Sequence, residues 1–265
     1  MPNITTSTDP DPEDAPRRGP LPAQPALARW RRALADLVFP PTCILCGAPG
    51  DDGRDLCRGC AGDLPALGLA CVRCALPLPA PVTAGAGDDG PLCGRCRRKP
   101  PAFARAHAPF RYEQPLPALV AGFKFNGRLN TLRLMGELLA TSLGDAAPQR
   151  PEAIVPVPLH MRRLRERGYD QALELARVVG RELALPVAAA ACERTRATPP
   201  QTTLEGKARA QNLRGAFRAT ADLSGAHVAV LDDVVTTAST VDEVARALRR
   251  AGASRVDVWC LARTP

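Results

Sequence analysis

Residues 228–240 read VAVLDDVVTTAST, an order of residue types that few arrangements of chain can satisfy. Val228, Ala229, Val230 and Leu231 make a short run with no polar face, the pattern of a strand buried on both sides in a parallel sheet. Two carboxylates, Asp232 and Asp233, follow at its end. Thr236, Thr237, Ala238, Ser239 and Thr240 then supply small, mostly hydroxyl-bearing side chains. Beyond them Val241, Val244, Ala245 and Leu248 recur at helical spacing, Thr240 and Glu243 have the spacing of a capping box, and Gly252 is placed to end the helix. A strand, a polar turn and a helix N-terminus together form an anion site. The first-turn N–H groups have no carbonyl partner within the helix, and the helix dipole favours negative charge there. The carboxylates would repel a bare anion. They suit a ligand that also carries hydroxyls or a divalent cation, as a ribose 5-phosphate with magnesium does. The Gly-rich lead and the Lys-Ser/Thr of a Walker loop are missing.

Cysteine is the second constraint. Eight of the ten fall into four Cys-x-x-Cys pairs: Cys43/Cys46, Cys57/Cys60, Cys71/Cys74 and Cys93/Cys96. Each pair is a tight knuckle presenting two thiolates, and two knuckles make a closed tetrahedral site whose role is structural. Sequential pairing gives one zinc on the first four cysteines and a second on the last four. The spacing alone also leaves an interleaved pairing open, and one zinc or two. The N-terminus carries no apolar export segment, which favours metal over a disulfide scaffold and predicts a cytoplasmic protein. No run of 18 apolar residues predicts a membrane span. The net charge of +8 permits a polyanionic partner without requiring one.

Around these two features the chain divides into three parts. Residues 1–25, rich in Pro, Asp, Thr and Arg, read as a disordered tail. Residues 26–102 hold a short amphipathic helix (Leu27, Trp30, Leu34 and Leu37 on one side) and the cysteine pairs, with a Gly- and Pro-rich loop between the third and fourth. Residues 103–265 read as an α/β domain with a mostly parallel sheet. Its expected elements are a strand near 104–112, a helix over 115–125 and another over 129–142. A strand over 153–157, a helix stripe through Ala172, Leu175, Ala176, Val179 and Leu183, a strand around 186–192 and a last strand over 255–261 complete it. His107 reads as a packed or surface residue, and Cys192 and Cys260 as inert core thiols.

Several of these segments together resemble one family. VAVLDDVVTTAST is similar to the phosphoribosyl-pyrophosphate (PRPP) motif of type I phosphoribosyltransferases. FKFNGR (123–128), VPVPLHMRRLRERGYDQA (155–172) and TRATPPQTTLEGKARAQNLRGAF (195–217) resemble further segments of the ComF family, in which a zinc ribbon precedes such a domain. The resemblance implies a Rossmann-like phosphoribosyltransferase domain behind a double zinc ribbon, with zinc and magnesium as metals. It implies Asp232 and Asp233 on the ribose hydroxyls, and Val234, Val235, Thr236, Thr237, Ala238, Ser239 and Thr240 around the 5-phosphate. Arg162, Arg163 and Arg167 would face pyrophosphate, and Lys124 and Arg128 would face the ligand from the FKFNGR turn. A polar loop with Arg194, Arg196, Gln201, Arg209 and Asn212 would close over the site. The same resemblance implies a role in natural competence, in which single-stranded DNA and other DNA-processing proteins are expected partners. No acceptor pocket is legible, so a DNA-binding protein or a PRPP sensor on a retired fold stands as the alternative. Two positions depart from the family pattern: Ala238 stands for Gly, and Asp170 for Asn.

Overall fold

The computed structural model describes residues 40–79, 90–125, 127–146, 149–161, 164–165, 168–196 and 213–265. The expected tail and the 26–38 helix lie outside the described residues. So do most of the loop between the third and fourth cysteine pairs, the site candidates Arg162, Arg163, Arg167, Gln201, Arg209 and Asn212, and Thr198.

The ribbon segment contributes two one-turn helices, α1 (Arg58–Gly62) and α2 (Gly94–Arg98). In order along the rest of the chain come β1 (Arg105–His107), β2 (Phe110–Arg111), α3 (Leu116–Phe125), α4 (Leu129–Ala146), β3 (Ala153–Pro156) and α5 (Gln171–Leu183). β4 (Cys192–Arg194), β5 (Phe217–Ala219), β6 (His227–Val235), α6 (Ser239–Arg250) and β7 (Arg255–Arg263) follow. The main sheet runs β1–β7–β6–β3 with β2 also beside β7, and every pairing in it is parallel. Parallel neighbours need crossover helices, and those helices cover both faces of the sheet.

The alternation of side chains sorts the core into two layers. Val228, Val230, Val256, Val258 and Cys260 pack with Val241, Val244 and Leu248 of α6. Ala229, Leu231, Trp259 and Leu261 pack with α3, α4 and α5 through Phe123, Met135, Leu139 and Leu175. α4 lies close on α5 at Gly136, where a Cβ would stand 2.6 Å from Val178 Cγ1. The two ribbon sites divide in the same way. Cys43 joins the layer of α3 and α4, while Cys71, Cys74, Cys93 and Cys96 join the layer of α6. Among the described residues, no helix is long and apolar enough to cross a membrane.

Three expectations need correction. The strand expected at 186–192 is a single parallel bridge, Val187 to Ile154, followed by a turn closed from Ala191 N to Ala188 O. Ala188–Ala191 offer no large side chain for either sheet face. The chain becomes a strand only at β4, in a separate antiparallel pair with β5. The strand expected to stop at Leu231 runs on through both carboxylates to Val235, because β7 continues beside it as far as Arg263. The capping box is not formed. α6 begins at Ser239, one residue before Thr240, behind Ala238 at φ +61°, with no side-chain cap. Glu243 accepts instead from Gly215 N at 3.2 Å. Gly252 does end the helix region, at φ +95°, where a Cβ would stand 2.9 Å from Ser224 Cα.

Candidate functional site and metal centres

Adjacent strands β3 and β6 send their following helices to opposite faces, α5 to one and α6 to the other. Such a divergence opens a crevice at the carboxyl ends of the two strands, the usual ligand position in an open α/β sheet. The residues that follow β3 belong to the Arg-rich segment, of which Arg165 is exposed and described. Those that follow β6 are the hydroxyl-rich loop.

Asp232 and Asp233 stand at the carboxyl end of β6. Each folds back on the chain: Asp233 N donates to Asp232 Oδ1 at 2.9 Å and Val234 N to Asp233 Oδ1 at 2.8 Å. Lys124, in the last turn of α3, makes an ion pair with Asp233. That pair joins two segments picked out independently in the sequence, FKFNGR and LDDVV. Burial, and then the charge of Asp233, pushes the Asp232 carboxyl up to about 8 against the opposing pull of Lys124. Burial lowers the Lys124 ammonium, but Asp233 and Asp232 outweigh it and hold its pKa above the usual lysine value. Asp170 adds a third carboxyl. Its pKa is raised by burial first, with the charge of Asp233 also contributing. Its oxygens accept from Leu173 N and Leu159 N, both at 3.1 Å, so it caps α5 and ties in the loop leaving β3. An Asn has one acceptor oxygen and could serve only one of these two N–H groups, so the departure at Asp170 has a structural role.

Between Val235 and α6 lie only Thr236, Thr237 and Ala238. Thr237 and Ser239 share a hydroxyl contact at 3.0 Å, and Ser239 is buried. Ala238 occupies the left-handed region, which explains why glycine suits that position. Arg194 lies in β4 with its guanidinium 5.5 Å from the Phe217 ring centre, and Arg196 donates to Arg214 O at 3.1 Å. His107 is packed: its Nε2 meets Ser142 Oγ at 2.8 Å, and burial lowers its pKa. Burial raises the Cys192 and Cys260 thiols to about 11 and about 12, so both stay protonated and inert.

The cysteines assemble sequentially. Cys43, Cys46, Cys57 and Cys60 form one group and Cys71, Cys74, Cys93 and Cys96 another, with ligand atoms within 4.8 Å of one another in each. Sγ–Sγ separations of 3.7 Å occur at Cys46–Cys57 and Cys74–Cys93. A tetrahedral site with ~2.3 Å zinc–sulfur bonds has edges of about 3.8 Å, so both groups fit zinc. Cys57 Sγ and Cys93 Sγ also accept from Cys60 N and Cys96 N at 3.4 Å, the second-sphere bonds that steady a thiolate. Four thiolates leave no open coordination position, and zinc there supplies only cross-linking.

Sequence reasoning missed two residues. Arg263 is 4% exposed at the end of β7 and reaches the loop between β6 and α6, and Arg95 reaches it from α2. A signal existed for Arg263: an arginine that follows the apolar run 258–262 at the end of a strand is seldom buried without a partner to meet it.

The fold and its two cysteine centres define an α/β domain of the phosphoribosyltransferase type carrying a double zinc ribbon. Residues 34–97 match the double zinc ribbon domain and residues 166–265 the phosphoribosyl transferase domain. The DNA utilization protein YhgH of Escherichia coli (strain K12) is 36% identical over 233 residues, 86% of this chain and 99% of that protein. Competence protein F of Haemophilus influenzae is 35% identical over 178 residues, 64% of this chain and 78% of that protein. A purine phosphoribosyltransferase structure from Pyrococcus horikoshii covers 49% of this chain and 71% of its own, at 18% identity and a TM-score of 0.32, too loose a likeness to carry an argument. The chain belongs to the ComF family, with YhgH and competence protein F as its relatives.

Proposed function

We propose that the 103–265 domain binds PRPP with magnesium and transfers its phosphoribosyl group to an acceptor with loss of pyrophosphate. The observation that carries this reading is a pair of partly desolvated carboxylates, served by one ammonium, at the mouth of a three-residue loop entering a helix. Asp232 and Asp233 would accept from the ribose 2- and 3-hydroxyls. Residues 234–240 would surround the 5-phosphate with N–H and hydroxyl donors. Arg162, Arg163 and Arg167 would meet the departing pyrophosphate as its charge develops. Lys124 would hold Asp233 in place, and the segment from Arg194 and Arg196 through Gln201, Arg209 and Asn212 would cover the site and exclude water. Lys124 serves Asp233, while burial and the charge of Asp233 push up the pKa of the Asp232 carboxyl, and a divalent cation in the crevice would draw it back to the ionised form. Magnesium bound with PRPP would neutralise charge on the leaving group. No residue here needs to act as an obligatory base, since the barrier lies in leaving-group departure.

The relatives' names, DNA utilization protein and competence protein F, support a role in DNA handling for this reaction; single-stranded DNA and other DNA-processing proteins would be its partners, in a cytoplasmic setting. The same names and the +8 charge favour a second reading, in which the chain binds single-stranded DNA through its phosphates and does not bind PRPP.

A melting experiment separates the two readings. PRPP at about a hundredfold its Kd stabilises a binding protein by about 2.7 kcal/mol. The first reading predicts that rise with magnesium present, and its loss in Asp232→Asn/Asp233→Asn. If the melting temperature stays fixed with PRPP while oligonucleotide affinity is the same in both proteins, the second reading replaces the first.

A further inference from the structure

Three contacts join the second cysteine centre to the phosphate loop. Arg263 donates from Nε to Cys74 O at 3.0 Å, and from Nη1 to Val235 O at 3.2 Å and to the carbonyls of Thr236 and Thr264. Arg95, inside the Cys93/Cys96 knuckle, donates from Nη1 to Thr237 O at 2.8 Å. Ala102 N, at the ribbon's exit, donates to Asp242 Oδ1 at 2.7 Å in the first turn of α6.

The carbonyls of Val235, Thr236 and Thr237 are consecutive, and both arginines lie on the ribbon side of them. In a trans peptide the C=O of one residue and the N–H of the next point in opposite directions. Turning these three carbonyls toward the ribbon therefore turns the N–H groups of Thr236, Thr237 and Ala238 away from it. That is the orientation an anion above the loop requires. Ala238 at φ +61° sits at the end of this run, in a conformation an alanine adopts only when its surroundings enforce it. Arg263 is buried, and its hydrogen bonds among the described residues all go to backbone carbonyls. No carboxylate cancels its charge in those bonds, so a cation lies beneath the loop. The first cysteine centre packs against α3 and α4 on the other face of the sheet.

We infer that Arg263 and Arg95 are positioning residues through which the second metal centre holds the 236–238 loop in its anion-receiving form. The first centre has no part in this. Thiolate–metal bonds at Cys74, Cys93 and Cys96 fix the Cys74 carbonyl and the Arg95 backbone, and the two guanidinium groups carry that order into the loop. Ligand affinity in this inference rests on the PRPP reading, whereas loop order does not.

Hydrogen–deuterium exchange on the zinc-loaded full chain tests it, read on a peptide spanning 234–241. Cys74→Ser and Arg95→Ala are expected to speed exchange there about tenfold or more, and Cys46→Ser to leave it unchanged. Arg95 is exposed, so Arg95→Ala should keep the wild-type melting temperature without ligand. It should also weaken Mg–PRPP binding about tenfold, the loss expected for one charge-assisted hydrogen bond, and Arg95→Lys should restore part of it. If Cys74→Ser loosens the whole chain, the Arg95→Ala arm decides alone. Wild-type exchange at 234–241 in Arg95→Ala, or equal loosening by Cys46→Ser, overturns the inference. Failure of wild-type protein to bind PRPP would count against the proposed function only, because the exchange arm stands without ligand.

Discussion

Asp232→Asn tests the electrostatics of the site in isolation. The folded carboxyl is pushed up to about 8, against roughly 3.9 for an unfolded aspartate. Between those values the folded chain binds a proton that the unfolded chain has released, so stability falls as pH rises through the window. The loss is complete above about 8. One proton corresponds to about 1.4 kcal/mol per pH unit, or about 2.7 kcal/mol between pH 6 and pH 8. Relaxation and water penetration around the ionised carboxyl reduce the figure to about 1–2 kcal/mol. At about 2–4 °C per kcal/mol for a domain of this size, that is a shift of roughly 2–8 °C. Asparagine keeps the Oδ1 that accepts from Asp233 N at 2.9 Å and cannot ionise. The assay is melting of both proteins at pH 6, 7 and 8. Buried His107 contributes stability in the opposite sense, present above its unfolded pKa and lost as pH falls, but it contributes to both proteins and drops out of their difference. The variant should gain on wild type steadily from pH 6 to pH 8. A constant difference across that range would refute the reasoning.

Other expectations follow from single contacts. Asp170→Ala removes the α5 cap and orphans Leu159 N, and should cost about 1–2 kcal/mol in a melt, whereas Asp170→Asn, which keeps one of the two acceptor oxygens, should fall between Asp170→Ala and wild type. Ala238→Gly relieves a left-handed alanine, worth about 1–2 kcal/mol, against about 0.4–1 kcal/mol of added unfolded-state entropy. A small rise in melting temperature is therefore expected, and a fall would show that the loop needs the methyl group. Metal analysis should return two zinc ions per chain and one in either Cys46→Ser or Cys74→Ser. Two zinc ions retained in either variant would contradict the four-thiolate centres.

The features carried by local pattern were legible in the sequence. The apolar run of β6, the helical stripe of α6 and the four cysteine knuckles each announce themselves within a dozen residues or so, and the structure contains all of them. Tertiary pairing decided what the sequence left unsettled. β6 runs past its carboxylates because β7 accompanies it, a long-range fact that no local pattern encodes. The Thr240–Glu243 spacing suits a capping box, yet Glu243 serves Gly215, which lies 28 residues earlier. Asp170 read as a departure from a pattern and proved to be a helix cap. Lys124 was picked out beside its turn, but its pairing with Asp233 spans more than a hundred residues. The arginine strap was invisible for the same reason, since Cys74 and Arg263 meet only once the ribbon has folded against α6.

The central claim, that the loop after β6 receives a phosphoribosyl pyrophosphate, is tested most directly by calorimetric titration. The zinc-replete protein would be titrated with PRPP with and without magnesium, beside the Asp232→Asn/Asp233→Asn variant. The account predicts saturable, magnesium-dependent binding at one site per chain, lost in the variant. Absence of binding to the wild-type chain, or equal binding by the variant, would contradict it.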